Sequence, residues 1–260
     1  MTTVSSDPVV RANLARDIWN VLTRELKPVV RDPFTVIFSL IQPLFFLGLY
    51  APLLIGQTGD PGATLQWFVP GVLVMIVLFG TGATGGNLQY EMMTGSHERT
   101  LVAPLARSSL LVGRALKEIA PIIVQSLVIV AIALPFGFRL DPFGLVIGLA
   151  LLAVFGVGLG SLSYTLALKT KERDWLFWGV QQTLIFPLMI LSGMLLPLDA
   201  GPGWMSAVAA VNPLNWVVQA ERALFAGDLG NVVVLWGWVS ALVLAALGLW
   251  AGVRAIHKSN

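Results

Sequence analysis

Pro142-Phe-Gly-Leu-Val-Ile-Gly-Leu-Ala-Leu-Leu-Ala-Val-Phe-Gly-Val-Gly-Leu-Gly-Ser-Leu-Ser-Tyr-Thr-Leu-Ala-Leu168 runs for 27 residues without one charged side chain. As a helix rising 1.5 Å per residue it would reach about 40 Å, more than the ~30 Å hydrocarbon layer of a bilayer. Five further runs share this character: Phe34–Gly56, Trp67–Tyr90, Ile119–Phe138, Trp175–Leu198 and Val232–Val253. A core helix of a soluble domain keeps a polar face for water, and these have none. The pattern predicts an all-α membrane protein with six spans. The 260 residues are 56% hydrophobic and 12% charged, with a mean hydropathy of +0.81. That charged share is about half the ordinary value. The spans leave no room for a separate soluble domain, and the absence of cysteine excludes disulfides and thiolate metal sites.

Positive charge sets the orientation. Arg11, Arg16, Arg24, Lys27 and Arg31 precede the first span. Arg99, Arg107, Arg114 and Lys117 fall between the second and third, Lys169, Lys171 and Arg173 between the fourth and fifth, and Arg254 and Lys258 in the tail. Only Arg139 and Arg222 lie on the other side, so fourteen stand against two and both termini are expected in the cytoplasm. This distribution accounts for the basic balance without nucleic acid. The polar, basic start at Met1–Asp32 does not read as a cleavable signal peptide.

Val10, Leu14, Ile18, Leu22 and Leu26 recur every fourth residue, with Arg16 and Arg24 between them. Residues 1–33 are therefore read as an amphipathic helix in the membrane interface, apolar stripe toward lipid, broken at Pro28 and again at Asp32-Pro33. The alternative is a solvated leader helix. Residues 34–254 form the membrane domain and 255–260 a cytoplasmic tail. The outer loops Gln57–Gln66 and Arg139–Asp141 are short. The outer segment 199–231 instead holds two short helical stretches around Trp204 and Trp216, separated by Asn212-Pro213, an N-cap followed by proline at the first helical position. It reads as an extracellular re-entrant hairpin. A seventh span over Trp204–Ala220 is the competing topology, opposed by the tail charges. Gly82/Gly86, Gly144/Gly148 and Gly156/Gly160 are pairs four apart, which favour close helix packing within the chain over a dimer seam.

The six apolar runs contain no Asp, Glu, Lys, Arg or His, which argues against a proton antiporter. His97 and His257, the two histidines, lie outside them, so no metal or triad chemistry is expected at membrane depth. None of the five lysines follows glycine, so no P-loop is present and any ATP must be hydrolysed elsewhere. Polar groups in the spans are amides and hydroxyls with aromatics beside them. Phe45, Phe46, Asn87, Gln89, Gln181, Gln182, Phe186 and Ser192 are candidates to line a pathway for an amphipathic molecule, with helix–helix packing the competing role for each amide. Pro187 is expected to kink the fifth span. Between the second and third spans, Glu91 to Arg114 has Ser96 placed to cap a short helix, Glu98 in its first turn, and Pro104 closing it. This compact charged element suits docking to a cytoplasmic partner.

Several motifs recur in order along the chain. They are Arg31-Asp-Pro-Phe34, Gln42-Pro43, Phe68-Val-Pro-Gly-Val72, Glu98-Arg99-Thr-Leu-Val-Ala-Pro-Leu-Ala-Arg107, Leu111-Val-Gly-Arg114, Phe186-Pro187, Ser192-Gly193, Pro202-Gly203-Trp204, Asn212-Pro213 and Ala223-Leu224-Phe225. In these the sequence resembles the ABC-2 type permeases, and within them the daunorubicin-resistance (DrrB-like) drug and lipid exporters. The resemblance implies a bacterial plasma-membrane exporter subunit. It also implies a second permease, identical or paralogous, and two cytoplasmic ATP-binding cassette ATPase subunits that hold ATP and Mg2+; this chain itself would hold no cofactor. Glu91, Ser96, His97, Glu98, Arg99, Thr100, Leu101 and Arg107 would then belong to the ATPase-coupling helix, with Arg16, Arg24, Arg31 and Asp32 in the interfacial helix beside it. The halves would part near the first, second and fifth spans, beneath a hairpin carrying Trp204, Asn212, Pro213 and Trp216. Ser96-His97 and Met92-Met93 depart from the usual pattern. A stand-alone secondary carrier or channel is the alternative, distinguished by transport without nucleotide.

Overall fold

The computed structural model describes residues 14–31, 33–96, 107–171, 173–198 and 201–258. The described residues form helices and turns, with no strand. Helix α1 (Leu14–Arg31) is followed by α2 (Pro33–Thr58), α3 (Pro61–Gly80), α4 (Gly82–Met93), α5 (Arg107–Lys117) and α6 (Ile119–Ala133). After a short 3-10 turn come α7 (Pro142–Lys169), α8 (Asp174–Ile190), α9 (Gly203–Val211), α10 (Pro213–Phe225) and α11 (Val232–Lys258).

Local chemistry fixes several boundaries that hydropathy does not. The segment read as a loop at Gln57–Gln66 is almost wholly helical, because Asp60 accepts a hydrogen bond from the Ala63 N–H (3.1 Å) and Pro61 takes the first helical position. Asp141 caps α7 in the same way through the Gly144 N–H (2.6 Å). Pro28 does not break α1, which runs through it to Arg31, and α2 starts at Pro33. The run Trp175–Leu198 is helical only to Ile190. One turn after Pro187 the Ser192 hydroxyl donates to the Met189 carbonyl (2.7 Å), and Gly193 takes a φ of +69°, a left-handed conformation open to glycine.

Five stretches are long and apolar enough to cross a membrane: Ile37–Thr58, Pro61–Met93, Ser108–Phe136, Pro142–Lys169 and Val232–Ile256. In Pro61–Met93 72% of the apolar window is buried, against 22% in Ile37–Thr58, so α3 is the axis of the bundle and α2 lies at its edge. Phe68, Val69, Val72 and Val77 of α3 are fully enclosed. Around them α7 pairs with α11, and α10 fills the angle between α3, α7 and α11. The glycine pairs serve this intrachain packing. Gly82 and Gly86 receive Gln181 and Trp178, Gly156 receives Ile122, and Gly144 faces the Leu224 carbonyl of α10.

The two ends of the bundle differ. At one, called here the basic end, α1 packs on α5 with Val21 against Gly113, and Gly252 near the end of α11 meets Leu111 of α5. On α1, Val21 is buried against α5 while Leu14 and Trp19 are exposed. The opposite, hairpin end gathers Asp60, Arg139 and the α9–α10 pair.

Candidate functional site

At the basic end Arg114, on α5, joins four helices. It is 4% exposed, its Nε lies 3.4 Å from Glu25 Oε1 of α1, and its Nη2 donates to Glu91 Oε2 of α4. The guanidinium sits 5.6 Å from the ring centroid of the enclosed Tyr164 of α7. A buried cation is retained only with such partners. Beside it Thr84 donates to Glu118 Oε1 (2.7 Å), which Lys117 Nζ approaches to 3.5 Å. Gln89 Nε2 donates to Thr170 Oγ1 (2.8 Å) and the Ala167 carbonyl (3.2 Å), tying α4 to α7. The end of α4 is therefore tied to α1, α5 and α7.

Of the residues expected to couple to an ATPase, Glu91 is in this cluster and Ser96 is half-buried at the edge of the described segment. His97, Glu98, Arg99, Thr100 and Leu101 lie outside the described residues, as does Asp32; Arg107 opens α5. Arg16, Arg24 and Arg31 are exposed on α1. Sequence reasoning did not single out Arg114, Glu25 and Tyr164 as a unit. Their one signal is an arginine in the middle of α5, between the small and apolar residues 108–113 and Ala115-Leu116; its partners are 89 and 23 positions away.

The pathway candidates divide. Gln89, Gln181 and Ser192 are buried, and each has a protein partner: Gln181 Oε1 accepts from the Ser163 hydroxyl (3.1 Å), and Ser192 bonds within its own turn. For these three, packing is the role seen. Phe46 is half-buried, stacked on Tyr50 at 5.4 Å. Phe45, Asn87, Gln182 and Phe186 are exposed. On α8, Trp175, Trp178, Gln182, Phe186 and Ile190 lie at helical spacing within its exposed face. It adjoins the exposed Asn87 face of α4, since Trp178 packs on Gly86.

At the hairpin end Asn212 is buried and has two tasks. Its Oδ1 caps α10 through the Leu214 N–H (3.0 Å), and its Nδ2 donates to the Leu188 carbonyl (2.8 Å) near the end of α8. Pro213 opens α10, Trp216 Nε1 donates to the Ala210 carbonyl (2.9 Å), and Trp204 is exposed. Arg222 ties α10 to the core: Nε donates to the Trp67 carbonyl (2.9 Å), Nη2 to the Gly193 carbonyl (2.8 Å), and the guanidinium lies 4.1 Å from the Trp67 ring centroid. An apolar cavity of about 590 Å³ opens between the ends of α2, α3 and α8 and the hairpin, lined by Leu54, Trp67, Ile190, Leu196, Leu198 and Met205.

One ionisable group lies where none was expected. Glu221, in the segment read as outside the spans, is fully buried against Gly148 of α7, and neither carboxylate oxygen has a hydrogen-bond partner among the described residues. Burial pushes its carboxyl up to about 8. The apolar runs are free of charge, but the hairpin brings a carboxyl against one of them.

Residues 16–226 match the family model described as "ABC-2 type transporter". The chain is 28% identical over 212 residues to the daunorubicin resistance ABC transporter permease protein DrrB1 of Streptomyces coeruleorubidus, covering 80% of this chain and 75% of that protein. It is 26% identical over 235 residues to the probable doxorubicin resistance ABC transporter permease protein DrrC of Mycobacterium tuberculosis, covering 86% and 83%. It is also 22% identical over 198 residues to the probable multidrug ABC transporter permease YbhR of Escherichia coli K12, covering 73% and 52%. With an all-helical bundle, five long apolar helices and a family match over most of its length, this multi-pass membrane chain belongs to the ABC-2 type transporter permeases.

Proposed function

We propose that this permease exports a hydrophobic or amphipathic molecule, a drug, lipid or glycolipid, and that separate ATPase subunits bind ATP and Mg2+ to drive it. The observation that carries the reading is the joint polar and aromatic face of α4 and α8. Asn87 and Gln182 are exposed there, and an amide left facing lipid in the hydrocarbon layer would cost several kcal/mol. A second permease, identical or paralogous, covers that face and makes it the wall of a pathway. The apolar cavity beneath the hairpin is its outer mouth. The drug-resistance names of the relatives support an amphipathic cargo.

In this reading the basic end is cytoplasmic in a bacterial plasma membrane. Both α1 and the end of α11 pack at α5, which supports placing the two termini on one side. Helix α8, 17 residues or about 25 Å long, makes the sixth crossing together with the turn that follows it, and α9–α10 form the re-entrant hairpin. The loop after Glu91 seats in the ATPase, and Arg114 passes its displacement to α1 and α7.

The test is co-purification with the ATPase subunit together with charge reversal. Glu98→Arg and Arg99→Glu are expected to lower ATP-driven transport at least ~10-fold while the chain still inserts and folds, the size of one or two lost charge-assisted contacts. Unchanged transport in both variants would remove the coupling role.

A further inference from the structure

Helix α10 carries Asn215, Gln219 and Arg222 at helical spacing i, i+4 and i+7, so all three share one face. With Ser206 of α9 and Trp67 of α3 they line a cavity of about 320 Å³ at the hairpin end. Among the described residues no carboxylate pairs with Arg222. Glu221 precedes it in sequence, but the helix turns that side chain toward Gly148 of α7, away from this cavity. The guanidinium is held by two carbonyls and the Trp67 face, which orient it and leave its charge uncompensated. Burial pulls it down to about 10, so it stays charged at neutral pH. The side chains of Ser206, Asn215 and Gln219 make no hydrogen bond to the described residues, and all three line the cavity with the cation. This polar cavity shares Trp67, Pro197 and Leu198 with the apolar cavity of about 590 Å³. A charged, hydrogen-bonding compartment thus adjoins an apolar one across a common wall.

We propose that these joined cavities form a binding subsite for an anionic amphiphile, its phosphate or carboxylate head on Arg222, Asn215 and Gln219 and its apolar body against Leu54, Leu196 and Met205. The site rests on the export reading only for its role, as the last station before release; binding itself needs no ATPase. An anion here gains a charge-assisted, orientable partner in Arg222, with Asn215 and Gln219 beside it on the cavity wall. A cationic head would meet an unpaired guanidinium and be repelled.

The experiment measures equilibrium binding of pyrene-labelled alkyl chains of one length to the full chain in nanodiscs of zwitterionic lipid. The head groups are phosphate, phosphocholine and trimethylammonium. The alkyl phosphate is expected to bind about 10-fold or more tighter than the other two, the range of one charge-assisted hydrogen bond. Inorganic phosphate alone at the same concentrations is expected not to compete. Gln219→Glu places a carboxylate in the cavity without touching the bonds that hold Arg222. It is expected to weaken the alkyl phosphate about 10-fold and to leave the phosphocholine probe unchanged. Arg222→Lys is expected to retain more phosphate binding than Arg222→Gln. Equal binding of the three probes, preference for the cation, competition by free phosphate at matching concentration, or indifference to Gln219→Glu would each overturn the proposal. Failure of ATP-driven transport with intact phosphate preference would instead overturn the export reading.

Discussion

Glu221 is a carboxyl whose environment decides its protonation. Enclosed between α10 and α7 with no partner for either oxygen, it is raised from 4.5 to about 8, so it is mostly neutral at pH 7. The folded chain binds this proton across that window and the unfolded chain does not, so stability falls as pH rises from about 4.5 through 8. Glu221→Gln keeps the shape and removes the titration. Its melting temperature in detergent is expected to exceed that of the parent, by more at pH 8.5 than at pH 5. Each kcal/mol recovered is worth about 2–4 °C for a chain of this size. Arg114 gives the opposite case, because its charge is matched. Arg114→Met leaves Glu25 and Glu91 facing each other without their cation and is expected to cost roughly 3 kcal/mol, read as an earlier thermal transition.

Helix against helix, the α7–α10 interface is the least forgiving. A Cβ on Gly148 would stand 2.5 Å from Glu221 Oε2, and one on Gly144 would meet the backbone carbonyl of Leu224, which no rotamer change can move aside. Gly144→Ala is expected to cost about 1–3 kcal/mol. Gly48→Ala, on the exposed side of α2 with nothing within 4 Å, should be neutral or slightly stabilising, since alanine is the better helix former. Thermal unfolding of the two variants side by side checks this.

Five long stretches were legible because a charge-free run of about 20 residues matches the bilayer thickness, whereas the run Trp175–Leu198 is helical only to Ile190; the Asn212-Pro213 cap was legible because it is a local signal. Boundaries were not, because they depend on single hydrogen bonds such as Asp60 to Ala63, or on a turn such as Gly193 that is stabilised by tertiary contact. The Arg114 cluster and the Arg222 tie were invisible for a different reason. They pair residues from distant segments, and spacing along one chain carries no record of them.

For the whole molecule, the proposed function sets a second permease against the exposed stripe on α8 and Asn87 on α4. The chain contains no cysteine, so a single introduced thiol reports one position. Gln182→Cys labelled with benzophenone maleimide in membranes is expected to capture another permease chain, identified by mass. Val146→Cys, also exposed but on α7, is expected to capture lipid or nothing. Capture of a permease from Val146 and not from Gln182 would move the interface to the other side of the bundle.

A conduit driven by a separate motor should pump only in its company. Uphill transport of a fluorescent amphiphile into inside-out proteoliposomes, with and without the ATPase subunit, checks this. Accumulation is expected only with both proteins and ATP, and is abolished by vanadate. Accumulation by the permease alone with vanadate present would contradict it.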